Sequence, residues 1–228
     1  MVQIEVDAVL FDIDGTLIDS TPAVERAWRT LASESGLDGD AILTVSHGRR
    51  SADTVADFWP EADRADAVAR LAQIEMADLD SVVALPGVAD LLASLPPDRW
   101  AAVTSGPRTL MIARLRAAGL PVPDILVTAE DVELGKPHPQ GYLLAARRLG
   151  RDPVRCLVVE DAPPGIAAGL ASGAVVIGVA TSHDASHLTG SHVLLDDLTA
   201  CAMDLQPGGV VVRMAGARWL GSHPAKRR

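Results

Sequence analysis

The chain has 228 residues, 48% of them hydrophobic, with 30 acidic against 20 basic side chains and a net charge of −10. This length suits one sizeable core, or one core with a smaller inserted domain, and the apolar content excludes a disordered chain. The acidic balance argues against a broad nucleic-acid surface, which calls for a basic face, but a local Arg and Lys cluster can still attract a small anion.

No apolar run approaches the length of a membrane span, and Met1-Val2-Gln3-Ile4-Glu5 lacks the charged and apolar regions of a signal peptide. Cys156 and Cys201 form neither a disulfide framework nor a zinc spacing. Cys156 begins an apolar run and reads as a small core residue. The expectation is a reducing, cytoplasmic setting without a membrane or nucleic-acid partner, and a monomer or weak dimer.

In chain order, the first strong element is the apolar run 8–11, which delivers Asp12 and Asp14 and then breaks at Gly15. A buried strand ending on acids places them at its carboxyl edge, where open α/β sheets keep their ligands. Two such carboxylates repel by roughly 4 kcal/mol at 4 Å and an effective dielectric of about 20. A bound cation, or a proton on one of them, relieves this; an ordinary Asp-Gly turn is the plainer alternative.

Between residues 20 and 85 no strand signal appears, and Ala, Glu, Arg and Asp dominate. Thr21-Pro22 opens a helix that Gly36 stops, and Ala65, Val68, Leu71, Ala72 and Met76 fall at helical spacing in another. This reads as a helical insertion closed by Pro86-Gly87, sitting above the active edge where it can act as a lid.

Strands are then expected at 100–104, 125–128, 156–159, 175–180 and 193–195, mostly short and without polar alternation, as in parallel strands buried on both faces. Helices are expected at 109–118, 140–149 and 164–172, each stopped by a glycine. Alternation of this kind predicts a doubly wound parallel α/β sheet. Residues 208–214 can form one more strand, and 222–228 is a basic tail read as disordered.

Three later segments carry chemistry. Thr104-Ser105-Gly106 ends a strand with hydroxyls and a glycine before a helix, which suits phosphate oxygens or a simple Ser105 cap. Lys136 sits in the loop Gly135-Lys136-Pro137-His138-Pro139, stiffened by its prolines, either as a fixed cation facing Asp12 and a phosphoryl group or as a surface residue. Val158-Val159-Glu160-Asp161 repeats the opening design; its acids complete a hard oxygen site of the kind Mg²⁺ prefers, or cap the next helix.

In this order, the four segments resemble the motifs of the haloacid dehalogenase superfamily, over residues 6–198. The resemblance implies a Rossmann-like parallel sheet formed by 1–19 and 86–205, a small helical cap domain at 20–85, and a C-terminal extension at 206–228. It also implies that Asp12 is the nucleophile and forms an aspartyl-phosphate. Asp14 becomes the acid/base, and Thr104, Ser105, Gly106 and Lys136 hold the phosphoryl group. Mg²⁺ would lie between Asp12, the carbonyl of Asp14 and Asp161, with Glu160 near or ligating.

Within that superfamily an Asp at position 14 indicates phosphatases and phosphomutases; the mutases carry a cap histidine near the place of Val24. Asp19-Ser20-Thr21-Pro22, His47-Gly48-Arg49-Arg50, Leu85-Pro86-Gly87, 127–132 and 160–165 look like 2-deoxyglucose-6-phosphate and glycerol-phosphate phosphatases. A small phosphorylated sugar or polyol is therefore the expected substrate, with a hexose phosphate phosphomutase or a silent binding relative as alternatives. Pro164 replaces a usual Ala and is expected to start its helix without harm. His47, Arg49 and Arg50 are candidate substrate contacts; the arginines can instead answer Asp53 or Asp57. Adjacent side chains diverge, and Arg50 is the one expected in the cleft.

Overall fold

The computed structural model describes residues 1–220; the basic tail at 222–228 lies outside the described residues. The chain opens with β1 (Val2–Val6) and, after Asp7, β2 (Ala8–Phe11). β3 (Ile18–Asp19) leads into α1 (Thr21–Ser35), α2 (Gly39–Ser46), α3 (Ser51–Phe58) and α4 (Arg64–Ala77), and β4 (Val83–Ala84) returns to pair antiparallel with β3. Alternating units follow: α5 (Val88–Ala93), β5 (Trp100–Val103), α6 (Arg108–Ala117), β6 (Leu126–Val127), α7 (Gln140–Arg148), β7 (Cys156–Glu160), α8 (Pro163–Ala171), β8 (Val175–Val179) and β9 (Val193–Leu195). β10 (Cys201–Gln206), β11 (Gly209–Met214) and β12 (Arg218–Trp219) end the described chain.

The main sheet has the order β12-β9-β8-β7-β2-β5-β6, parallel throughout except for β12. Its strands are buried on both faces, so consecutive side chains enter opposite cores. Val9 and Phe11 join one cluster with Leu157, Val159 and Ile177, while Ala8 and Leu10 join the other with Cys156, Val158 and Val176. From β2 the chain moves to β5 and β6, then crosses back to β7 on the other side of β2. That reversal makes the carboxyl end of β2 the crevice where such sheets bind ligands.

The helical insertion has a core of its own, built from Trp28, Leu31, Ile42, Val55, Trp59 and Leu71. Gly36 ends α1 at φ 68, and Asp38 caps α2 by accepting from Asp40 N at 2.9 Å and Ala41 N at 3.3 Å. The short β3–β4 pair at its base falls in and beside the segment expected to hold no strand. Strands of two residues leave no periodic signal.

Strand formation at 208–214 follows expectation, but as the centre of a second antiparallel sheet, β1-β11-β10. α8 begins at Pro163, which leaves both prolines in the first turn, where missing N–H groups cost nothing.

One polar knot ties this frame together. Asp131 accepts from Thr128 N and Oγ1, both at 2.9 Å, and pairs with Arg108 of α6 at 2.5 Å and Arg148 of α7 at 2.8 Å. Partial burial opposes its ionisation, but the hydrogen bonds from Arg148 and Thr128 and the charge of Arg108 prevail, holding its pKa at about 2. A carboxylate depressed in the folded state adds stability above its unfolded pKa and loses it as pH falls through the folded value. Asp131→Asn is therefore expected to lose about 1–2 kcal/mol at pH 7, discounted for its solvent contact. In urea titrations at several pH values, that gap should close between pH 3.8 and about 2.

Candidate active site

β2 lies between β5 and β7, so Asp12, Thr104 and Glu160-Asp161 emerge side by side at adjacent strand ends. Asp12 N donates to Val159 O at 3.0 Å, which fixes the nearer pair. Carboxylate oxygens of Asp12, Glu160 and Asp161 all lie within 4.8 Å of one another, and all three residues are buried. Lys136 reaches the same point. Its Nζ pairs with Asp12 Oδ1 and with Glu160 Oε1 at 2.6 Å, and donates to Val103 O at 3.3 Å. Lys136 is only 8% exposed, so it is not a surface residue.

Burial raises the pKa of Asp12 well above the usual carboxylate range; Lys136 opposes this, and Glu160 and Asp161 add to it. Asp161 is pushed up to about 7 by burial and the charge of Glu160. Burial by itself would lower the pKa of Lys136, but the charges of Asp12 and Glu160 outweigh it and hold the ammonium protonated. Three carboxylates against one ammonium leave surplus negative charge in a dry place. The donors are all hard oxygens, so the set fits a divalent cation.

The geometry also divides the acids. Both Lys136 and the Tyr142 hydroxyl, at 2.5 Å, bond to Glu160 Oε1, while Oε2 accepts from Asp161 N at 3.2 Å. Glu160 thus anchors Lys136 as well as belonging to the acidic cluster that could hold a metal. Asp161 accepts from Thr16 Oγ1 at 3.2 Å and from Ser182 Oγ. Gly15 passes against it at φ +82; a Cβ there would overlap the Asp161 carboxylate.

Asp14 stands apart from that cluster. Its Oδ1 accepts from Ser20 Oγ at 2.6 Å and from Arg114 Nη1 at 2.8 Å, and the residue lines a cleft between the sheet edge and the helical insertion. Asp12, Thr104, Ser105, Gly106 and Asp161 line the same cleft. Thr104 Oγ1 accepts from Gly106 N at 3.0 Å and lies 3.3 Å from Met111 Sδ, while Ser105 Oγ donates to Gly48 O at 2.9 Å across to the insertion. The Ser105 hydroxyl therefore serves the insertion contact and not a helix cap.

His47 and Arg49 line the cleft as well. His47 meets His183 edge-on at 5.4 Å between ring centroids, and burial lowers its pKa. Arg49 pairs with Asp57 at 2.9 Å. The assignment of Arg50 to this cleft is reversed. Its guanidinium is engaged bidentately by Asp53, at 2.8 Å for each bond, and donates to Glu133 O at 3.0 Å, so it pins the insertion to the loop before Lys136. Val24 lines the cleft too.

A profile of the haloacid dehalogenase-like hydrolases matches residues 6–173. The chain belongs to the haloacid dehalogenase-like hydrolases. Among relatives of this hydrolase, hexitol phosphatase A of Escherichia coli K12 is 43% identical over 208 residues, covering 89% of this chain and 96% of that one. The 2-deoxyglucose-6-phosphate phosphatase 2 of Saccharomyces cerevisiae is 36% identical over 239 residues, covering 94% and 97%. A hydrolase crystal structure from Pseudomonas syringae superposes with a TM-score of 0.74 at 25% identity, covering 81% of this chain and 90% of that one.

Sequence reasoning missed several residues that the fold of this hydrolase brings to the site: Thr16, Glu75, Arg114, Ser182 and His183. Arg114 and Glu75 sit inside ordinary helical patterns, and only tertiary contact distinguishes them from solvated charges. Gly15 did mark a break, and its reason is the close approach of Asp161. Gly15→Ala is expected to cost about 1–2 kcal/mol from the positive φ. By displacing Asp161 it should also weaken divalent-cation binding about 10-fold or more. Urea unfolding and calorimetric titration with a divalent metal chloride check the two effects.

Proposed function

We propose that this hydrolase is a Mg²⁺-dependent phosphatase of small sugar or polyol phosphates, working through an aspartyl-phosphate on Asp12. One observation carries the reading: two aspartates one residue apart occupy different environments. Asp12 is buried in the charged cluster with Lys136, and Asp14 faces the cleft on bonds from Ser20 and Arg114. A nucleophile and a separate proton donor need that division. The hexitol and deoxyglucose phosphatase relatives support the substrate class, and Val24 in the cleft supports hydrolysis over phosphomutation.

In this reading Asp12 attacks phosphorus, Asp14 passes its proton to the departing alkoxide, and Asp14 then takes a proton from the water that cleaves the aspartyl-phosphate. Lys136, Thr104 Oγ1 and the backbone at Ser105 and Gly106 hold the phosphoryl oxygens. Asp12, Asp161 and the carbonyl of Asp14 would hold Mg²⁺, with Glu160 beside it. When bound there, the ion would supply neutralisation of the charge that builds on the transferring group. The helical segment 20–85 acts as the cap domain over a core of 1–19 and 86–205, and His47 and Arg49 contact the substrate from the cap.

The setting proposed is a reducing cytoplasm, in keeping with the free cysteines Cys156 and Cys201; no described helix is long and apolar enough to cross a membrane. A monomer or weak dimer acting on the small phosphate ester alone completes the reading. The test is phosphate release from a panel of sugar and polyol phosphates. Release should depend on Mg²⁺, stop with a chelator and return on re-addition. Asp12→Asn should lower the rate on the order of 10³-fold or more while the circular dichroism spectrum stays unchanged. Absence of release from every ester would overturn the proposal, and isomerised hexose phosphate without net release would replace it with a mutase.

A further inference from the structure

Arg114 is the least expected charge in the molecule. It lies on α6 beneath the cleft, is only 2% exposed, and joins two carboxylates that belong to different parts of the chain. Nη1 pairs with Asp14 at 2.8 Å, and Nη2 pairs with Glu75 of the cap helix α4 at 3.0 Å. Glu75 is itself 6% exposed. Burial raises the Glu75 pKa and the charge of Arg114 opposes this, so the pair stands or falls together. A lone buried charge on either side is strongly unfavourable, and the cap is therefore fastened to the core through the same guanidinium that holds Asp14.

The bonds on Asp14 have a direction. Ser20, just before the first cap helix, and Arg114 both donate to Oδ1, and among the described residues no bond fixes Oδ2. Two donors on one oxygen hold the carboxyl group in place and leave Oδ2, on a residue that lines the cleft, as the oxygen open to a reacting group. We propose that Arg114 is a positioning residue for Asp14, seated by Glu75, so that the acid is correctly aimed only while the cap's α4 lies against the core. The inference rests on the phosphatase reading above. In the step concerned, an oxygen of Asp12 forms a bond to phosphorus as the bond from phosphorus to the ester oxygen breaks. The departing alkoxide takes the proton from Asp14, giving the alcohol, an aspartyl-phosphate and an Asp14 carboxylate.

This role differs from that of a plain cap-to-core tether in one measurable way: only an aimed acid makes the rate depend on how badly the leaving group needs a proton. The test compares kcat/KM for a polyol phosphate with that for 4-nitrophenyl phosphate, whose phenolate leaves without protonation. The ratio kcat/KM reports only the steps up to cleavage of the ester bond. Arg114→Lys keeps the charge but not the fork that spans both carboxylates, and should lower kcat/KM for the polyol phosphate about 10- to 100-fold. The fall on 4-nitrophenyl phosphate should stay within about three-fold. Glu75→Gln keeps an acceptor for Arg114 and should show the same selectivity at about 3- to 10-fold. It carries the test should thermal melting show Arg114→Lys unfolded. Asp14→Asn supplies the full signature of a lost acid.

Equal losses on both esters, or no loss on either, in the folded variants would overturn the positioning role while leaving the phosphatase reading intact. An Asp14→Asn variant with no leaving-group selectivity, or a wild-type protein inert on both esters, would instead remove the reading on which the inference rests.

Discussion

Carboxylates of Asp12, Glu160 and Asp161 converge on the ammonium of Lys136 at the end of β2, and the surplus negative charge governs what surrounds it. Such charges are tolerated away from water only when they are paired and hydrogen-bonded. Each neighbour answers that requirement. Tyr142 and the backbone of Asp161 bond to Glu160, Thr16 and Ser182 bond to Asp161, and Gly15 leaves its side-chain position empty so that Asp161 can come close. The remaining imbalance makes the place one that could hold a metal cation beside the ammonium of Lys136.

The helical insertion keeps a core of its own around Trp28, Leu31 and Leu71, while Ala23 and Val82 near its two ends join the core of the main sheet. Gly48 comes against Ala162, Ser105 bonds to the Gly48 carbonyl, Arg50 reaches the Glu133 carbonyl, and Glu75 meets Arg114. Parting Glu75 from Arg114 would strand a buried charge, so this contact is the costly one of the set to break. The site therefore has a rigid floor of strand ends and a roof held by hydrogen bonds and ion pairs.

Much of the floor was legible in the sequence because it is written locally. Apolar runs without alternation announced β2, β5, β7, β8 and β9, and acids or hydroxyls at their ends announced the site. The small second sheet was less legible. Val2-Gln3-Ile4-Glu5-Val6 does alternate in the manner of a half-buried strand, but its partner β11 lies at the far end of the chain. Nothing local in Cys201–Gln206 marks a strand either, since Leu205 at its end is exposed. The choice between Arg49 and Arg50 turned on the bidentate grip of Asp53, three residues along the next helix. Arg114 and Glu75 were invisible for a related reason: their meaning resides in a contact between helices far apart in sequence.

The three-stranded sheet has a consequence for how the enzyme comes into being. β1 is separated from β2, the strand that ends on Asp12, only by Asp7, yet among the described residues its partner is β11, roughly 200 residues later. Contacts of such long range close late, because the intervening chain must surrender its freedom first. β1 must therefore wait for β11 before it can pair. Until then its apolar Ile4 and Val6 have no antiparallel neighbour, although β2 beside it is held on both sides by β5 and β7. The strand that precedes Asp12 in sequence is thus closed by a different sheet from the one that positions Asp12.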